Sequence, residues 1–307
     1  MKALVTGDRG FVGSVMTERL LKLGYKVTGV DIKPPMESTY PESQYNQVMQ
    51  DCRDFFKLDR TVYDVVFHFA AIVGGRATIE GNPLSVATDL AIDSDLFQWA
   101  LQTDQNRLVL FSSSAAYPIA LQTEKYNVRL EESHIDLNNI KSPDFTYGFC
   151  KLSLEYLASF AQKEGLRCHI FRPFSGYDGV RQDLAYPFPN LVRLAKLGSD
   201  PFPIWSDTVR DFIHMDDVCD AVLAAIEQDV QGPVNLGTGI ATSFSQLAVM
   251  MADRAGYTPS SIELLSDMPA GVHTRVANPQ KMLKFYVPKI SLEEGVDRAF
   301  GDVAGSL

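Results

Sequence analysis

The chain has 307 residues, 46% of them hydrophobic and 21% charged, enough for one large core or two lobes. Its formal charge of −10 and the lack of any Lys/Arg run argue against a nucleic-acid partner. No apolar run approaches membrane-spanning length, and an apolar strand almost at Met1 leaves no room for a signal peptide. The four cysteines, Cys52, Cys150, Cys168 and Cys219, show no CxxC pairing and read as reduced thiols of a cytoplasmic protein. No His/Cys/Asp/Glu cluster has metal-ligand spacing, so no metal is expected.

Residues 2–5 are a continuous apolar run ending in Thr6-Gly7, which predicts a buried strand and its turn. Val12, Val15, Met16, Leu20 and Leu23 recur at helical spacing over 11–23, and Gly24 ends that helix. Residues 26–31 read as the second strand, closed by Pro34-Pro35. A strand at 65–70, a helix at 84–101 and a strand at 108–112 follow, the last delivering Ser112-Ser113-Ser114. A helix at 147–163 and a strand at 167–171 complete the alternation. This order predicts an α/β chain with a Rossmann-type, doubly wound parallel sheet. Residues 173–215 are rich in proline, glycine and aromatics and read as a loop-rich region. Residues 216–226 return to helix and 233–236 to strand, and from about 243 helix and extended segments alternate. The expected division is 1–172, with returning segments at about 216–240, as the dinucleotide-binding domain. Residues 173–215 and 241–307 then make a smaller, interleaved C-terminal substrate lobe, with a ligand cleft between the two.

Gly7-Asp8-Arg9-Gly10-Phe11-Val12-Gly13 follows a strand and opens a helix, the context a pyrophosphate cradle needs. Gly7 permits the tight turn, Gly10 lets the backbone approach the pyrophosphate, and Gly13 allows close helix–strand packing. Asp31 ends the second strand 18 residues after Gly13. A carboxylate there accepts bonds from the adenosine ribose hydroxyls and repels a 2′-phosphate, favouring NAD over NADP. Asp51-Cys52 follows the expected third strand, bordering the adenine.

Tyr147 and Lys151 are four apart and share one helix face. A phenol near pKa 10 is a poor base at neutral pH, and an adjacent ammonium stabilises the phenolate. The same ammonium can bond the nicotinamide ribose. A serine at the end of a neighbouring strand would orient the substrate oxygen.

These segments resemble an extended short-chain dehydrogenase/reductase of the nucleotide-sugar epimerase/dehydratase family. The resemblance is carried by TGDRGFVGS (6–14), Asp31, HFAA (68–71), FSSSAAYP (111–118), Tyr147 and Lys151, Arg172-Pro173, RDFIHMDD (210–217) and NLGTG (235–239), spread over most of the chain. It implies a tightly bound NAD and a nucleoside diphosphate sugar as substrate. Tyr147 would be the acid/base, Lys151 its electrostatic partner, and Ser113 the catalytic hydroxyl, with Ser114 as the alternative. Phe11, Val12, Ile32, Phe69, Ala70, Ala71 and Pro173 would line the cofactor. Arg210 and Arg275 match arginines on the sugar diphosphate, a role guanidinium forks suit. Ser175 stands where the family usually has a diphosphate-binding Asn, and Ser114 would border the sugar. A homodimer through helices 84–101 and 147–163 is the family expectation.

The position two before Tyr117 discriminates among reactions. Family dehydratases carry a glutamate there and 3,5-epimerases a cysteine, whereas this chain has Ala115, as small as the residue of the 4-epimerases. The expected activity is a 4-epimerase working by transient oxidation at C4. The alternatives are an NAD(P)H-dependent 4-ketosugar reductase, or a 3,5-epimerase using Cys150 or His214. A non-catalytic dinucleotide sensor is the rival from another class, and the intact Ser/Tyr/Lys set argues against it.

Overall fold

The computed structural model describes residues 1–126, 128–179, 181–265 and 267–302. Its centre is a parallel sheet of β1 (Lys2–Thr6), β2 (Lys26–Asp31), β3 (Tyr45–Met49), β4 (Val65–His68), β5 (Arg107–Phe111), β6 (Arg167–Pro173) and an edge strand, Val234–Leu236. The spatial order is β3-β2-β1-β4-β5-β6 followed by Val234–Leu236, so the order reverses between β1 and β4. In doubly wound sheets, ligands bind outside the strand ends at that reversal. The α/β, Rossmann-type fold expected from the alternation is the fold observed.

The central strands are apolar throughout because both faces are covered. All four residues of β4 are buried, as are Ala3 to Thr6 of β1. On one face, α1 (Phe11–Lys22) and α8 (Met215–Glu227) bury Val15, Met16, Leu20, Val218 and Val222. On the other, α2 (Cys52–Leu58), α5 (Thr88–Gln102) and α6 (Phe145–Lys163) bury Phe56, Leu96, Trp99, Leu154 and Ala158.

Several boundaries differ from expectation. The helix expected at 84–101 is two pieces, α4 (Pro83–Val86) and α5, which meet at Ala87, and α3 (Arg76–Gly81) precedes them. The strand expected at 65–70 stops at His68, so Phe69 and Ala70 enter the cleft loop. The region 173–215 is less irregular than its prolines imply, since it contains α7 (Pro187–Lys196). Pro187 and Pro189 lie in the first turn of α7, where a missing N–H breaks no intrahelical bond.

A second core joins α7, α9 (Phe244–Arg254) and α10 (Leu292–Asp302) through Phe188, Leu191, Phe202, Leu247, Met251 and Val296. Met282 and Tyr286 instead pack into the sheet core beside α8. Asp217 of α8 holds this tail, accepting bonds from the Tyr286 hydroxyl and from the Lys289 and Ile290 amides. The tail is thus tied to the sheet core through α8.

Candidate active site

Two adjoining cavities open at the strand ends, of about 610 and 570 Å3. The larger is walled by every expected cofactor residue: Gly7, Gly10, Phe11, Val12, Gly13, Asp31, Ile32, Asp51, Cys52, Phe69, Ala70, Ala71, Tyr147, Lys151 and Pro173. Its floor requires glycine. Gly7 adopts φ +70° and donates its N–H to the Val30 carbonyl, and a Cβ on it would lie 2.8 Å from the Ala70 nitrogen. A Cβ on Gly13 would lie 2.0 Å from the Gly7 carbonyl oxygen, so only glycine lets α1 start this close to β1. The first-turn amides of α1 at Phe11 and Val12 have no intrahelical acceptors and line the cleft, as an anion site requires. Asp31 accepts from the Arg9 amide (3.0 Å) and the Lys33 amide (2.9 Å), which fixes its carboxylate in the cleft wall. Asp51 caps α2, accepting from the Arg53 amide at 2.9 Å. These residues fit a dinucleotide in shape and in donor set.

Behind the wall of the same cleft, two buried aspartates of α5, Asp89 and Asp93, act electrostatically on Lys151. Asp89 accepts from the Ile72 amide (2.6 Å), and Asp93 contacts His68 Nε2 (3.2 Å), whose Nδ1 lies 2.8 Å from Thr6 Oγ1. Each aspartate keeps one oxygen without a hydrogen-bond partner among the described residues. Burial disfavours the Lys151 charge, but Tyr147, Asp93 and Asp89 hold its pKa above the usual ammonium value. Lys151 Nζ lies 5.8 Å from the Tyr147 ring centroid.

Tyr147 lines both cavities, and Ser113 and Ala115 line the second with it. Their relative placement is set by backbone contact. The Asp144 amide donates to the Ala115 carbonyl (2.9 Å), and a Cβ on Gly148 would sit 2.3 Å from that same oxygen. Glycine at 148 therefore lets the first turn of α6 press against the serine turn. Beneath this contact is a buried network. Arg172 forks onto Glu155 (2.8 and 2.6 Å) and donates to the Tyr117 hydroxyl (2.9 Å), which donates to Asn235 (2.7 Å). Ser112 also donates to Glu155. Tyr117, Arg172 and Asn235 of the recognised motifs thus brace α6 against β5 and β6.

Ser113 Oγ accepts from the Ala115 amide at 3.0 Å, capping the 3-10 turn Ser114–Ala116. Ser114 is buried in that turn and does not line the second cavity. Ser175 lines the larger cleft, where Ser175–Tyr177 pairs with Phe212–His214, and Arg210 lines that cleft as well as the second cavity. Cys150 is buried with its thiol directed at the Val86 carbonyl (3.7 Å), and burial pushes its pKa up to about 11. His214 caps α8, accepting from the Asp216 amide at 3.1 Å. Neither lines the second cavity.

That cavity holds an arginine cluster. Arg210 and Arg275 line it as expected, and Arg76 joins them. Arg76 contacts both oxygens of Asp144 at 2.8 Å, and Arg275 contacts one at 2.6 Å. Burial alone would raise the Asp144 pKa, but Arg275 and Arg76 hold it below the usual range. Arg210 donates to the Val209 carbonyl at 2.8 Å. Burial, with Arg275 and Arg76 nearby, pushes its pKa down to about 9 against the pull of Asp144. Its backbone is anchored by buried Asp211, which accepts from the Thr238, Gly239 and Ala277 amides. Sequence reasoning missed Arg76, Asp144 and Tyr186, the last of which lines both cavities beside Tyr147.

Comparison with known proteins accords with this geometry. The model of the NAD dependent epimerase/dehydratase family matches residues 3–237. A GDP-mannose 3,5-epimerase of Arabidopsis thaliana is 29% identical over 82% of this chain and 68% of its own length. A UDP-glucose 4-epimerase of Mycolicibacterium smegmatis is 27% identical over 96% of each. The crystal structure of Thermus thermophilus UDP-glucose 4-epimerase in complex with NAD shares the fold, with a TM-score of 0.84 at 24% identity over the whole of both chains. With the model matched over residues 3–237, the chain belongs to the NAD dependent epimerase/dehydratase family.

Proposed function

We propose that the chain is an NAD-dependent nucleotide-sugar 4-epimerase. The observation that carries this reading is the position of Tyr147, shared by the two cavities and flanked by Ser113 and Lys151. In this reading Tyr147 takes the proton of the C4 hydroxyl. Lys151 lends positive charge to the phenolate, and Ser113 orients the substrate oxygen. Bound NAD supplies the hydride acceptor that later returns the hydride. Arg210 and Arg275 hold the diphosphate while the 4-keto sugar turns over, and Tyr147 gives the proton back on the other face. The half-buried Trp205, with Pro203 and Ile204, forms an apolar stretch of the same cavity suited to a nucleobase.

A 3,5-epimerase needs a further acid and base for the carbons flanking a ketone. Ala115 supplies neither, Cys150 and His214 lie outside the cavity wall, and Asp144 is locked by two arginines. The relative that keeps this second reading open is the 29% identical GDP-mannose 3,5-epimerase. The two readings part on deuterium. The protein is incubated with UDP-, dTDP- and GDP-hexoses in deuterated water without added nicotinamide, and followed by proton NMR. A C4 epimer without deuterium is the expected result. Deuterium at C3 or C5 would replace it with a 3,5-epimerase, and no change would indicate a ketosugar reductase.

We assign residues 1–172, with 216–240, to NAD, and 173–215 with 241–307 to the nucleotide sugar. We place the protein in the cytoplasm, supported by four buried, unpaired cysteines and by no helix among the described residues long and apolar enough to cross a membrane. A homodimer through α5 and α6 is supported by the exposed Phe149, Tyr156 and Phe160 along α6.

A further inference from the structure

Beneath the adenosine end of the dinucleotide cleft lies a buried ion cluster that the sequence motif does not require. Arg9 stands inside the glycine cradle, yet its side chain is 1% exposed. Its Nη2 donates to the Asp31 carbonyl (3.0 Å) and to the Val48 carbonyl (2.7 Å), and its Nη1 contacts Asp8 Oδ2 at 3.3 Å. Asp8 is fully buried, and the same Oδ2 accepts the Tyr45 hydroxyl at 2.6 Å. Room for this carboxylate comes from Gly29 of β2, where a Cβ would lie 2.0 Å from Asp8 Oδ2.

The cluster is incompletely satisfied. Arg9 Nε and Asp8 Oδ1 are both buried without a hydrogen-bond partner among the described residues. A guanidinium has five donors in a fork that matches phosphate oxygens, and this one spends its bonds on two carbonyls and a carboxylate. Arg9 is also close to the place where cofactor choice is made. Its amide donates to the Asp31 carboxylate, and Asp31 is the residue at the ribose hydroxyls. An arginine near that point is what accommodates a 2′-phosphate in dinucleotide folds. Here the arginine is present, and it is folded underneath.

We propose that Asp8 and Tyr45 keep Arg9 captive, so that this chain refuses a 2′-phosphorylated dinucleotide although it carries the arginine that could bind one. The proposal deepens the NAD reading and rests on it. Refusal then has two parts. Asp31 repels the 2′-phosphate, and the cation that could offset the repulsion is tied to Asp8. Burial, opposed by Tyr45 and Arg9, raises the Asp8 pKa to about 6, so the holding charge is present at neutral pH.

The test reads which nucleotide the protein retains. Purified protein is incubated with an excess of NAD and NADP together, separated from free nucleotide and denatured, and the released nucleotides are quantified by chromatography. Wild type should release NAD. Asp8→Asn keeps the size and an acceptor for Tyr45 but removes the charge, and should raise the NADP:NAD ratio roughly tenfold, the scale of one charge-assisted hydrogen bond. The double variant Asp8→Asn with Arg9→Ala should return to the wild-type ratio, because the freed arginine is gone. Tyr45→Phe, which loosens Asp8 without removing it, should shift the ratio the same way by less, and it serves if Asp8→Asn does not fold. An unchanged ratio in the single variants overturns the proposal. So does a double variant that keeps the raised ratio, since Arg9 would then not be the receptor. A wild type that releases neither nucleotide overturns the NAD reading itself.

Discussion

The two cavities that share Tyr147 are built by different means. The dinucleotide side takes its shape from strand ends, glycines and first-turn amides, groups whose position is set within a few residues of one another. The sugar side takes its shape from charged side chains brought together from separate segments: Arg76 from α3, Asp144 before α6, Arg210 beside buried Asp211, and Arg275 from the tail. The first can bind through its backbone and tolerates changes of side chain that leave the backbone in place. The second depends on a balance of charges, so a single substitution redistributes its contacts. Tyr147 belongs to both, and its loss should separate binding from chemistry. Tyr147→Phe is expected to lower turnover about 10^3-fold, within the range for a positioned acid/base, while NAD remains bound. Steady-state turnover and nucleotide content of the same preparation check this. Retained turnover would remove Tyr147 from the mechanism.

A comparable energy is stored on the dinucleotide side at Asp8. Its pKa is about 6 in the folded protein against 3.8 when unfolded, because burial penalises the charge. Between those pH values the folded state holds more protons than the unfolded chain. Stability conferred by the protonated form is therefore present at low pH and is lost as pH rises through 6, at a cost of about 3 kcal/mol above it. Asp8→Asn should abolish this component. The difference in melting temperature between variant and wild type should grow in the variant's favour from pH 4.5 to pH 7.5. A difference independent of pH would show that the Asp8 charge is not penalised. The charged cluster thus weakens the fold at neutral pH, as buried ion pairs often do.

Gly13 tests the backbone argument directly. A methyl group 2.0 Å from the Gly7 carbonyl forces α1 away from β1. Gly13→Ala is expected to cost about 1–3 kcal/mol, the usual penalty of overpacking, and to release NAD before the protein unfolds. Nucleotide content and the urea midpoint, measured together, separate the two effects. Full retention of NAD would mean that the cradle has slack its geometry does not suggest.

Much of the dinucleotide side was legible in the sequence because its signals are local. A strand, a GxxGxxG turn and a helix follow one another within residues 2–22, and the residues expected from them all line one cleft. The order of strands and helices likewise followed from short-range periodicity. The failures came where meaning depends on long-range meeting. Pro187 and Pro189 read as breakers, yet both sit in the tolerant first turn of α7. That Ser114 would be buried in the 3-10 turn capped by Ser113 likewise depends on packing that no local signal marks. That Ser175 would share the larger cleft with Arg210 depends on the pairing of Ser175–Tyr177 with Phe212–His214, which no local signal marks. Arg76 and Asp144 carry no periodicity and no motif, and 68 residues separate them. Only the fold brings them to contact. Asp8 and Arg9 were visible inside the motif, but nothing local told that Tyr45 and Gly29 would bury them.

The sugar side can be sharpened through Asp144. Its carboxylate occupies two of the four arginines that line the cavity among the described residues, Arg76 and Arg275, so an incoming diphosphate must compete with it for Arg275. Asp144→Asn removes that competitor and keeps the side chain's size. The expected result has opposite signs in two measurements. Affinity for a nucleoside diphosphate should rise several-fold, up to roughly tenfold, the scale of one charge-assisted contact. Thermal stability should fall, because Arg76 and Arg275 are left half-buried without their counter-ion. The dinucleotide side should not respond, since Asp144 does not line that cleft, and NAD content is the control. Calorimetric titration with nucleoside diphosphates and a thermal melt supply the two numbers. Weaker diphosphate binding in the variant would reverse the argument. Asp144 would then be an organiser that aims Arg275, and the arginine cluster would be preformed like the glycine cradle on the other side of Tyr147.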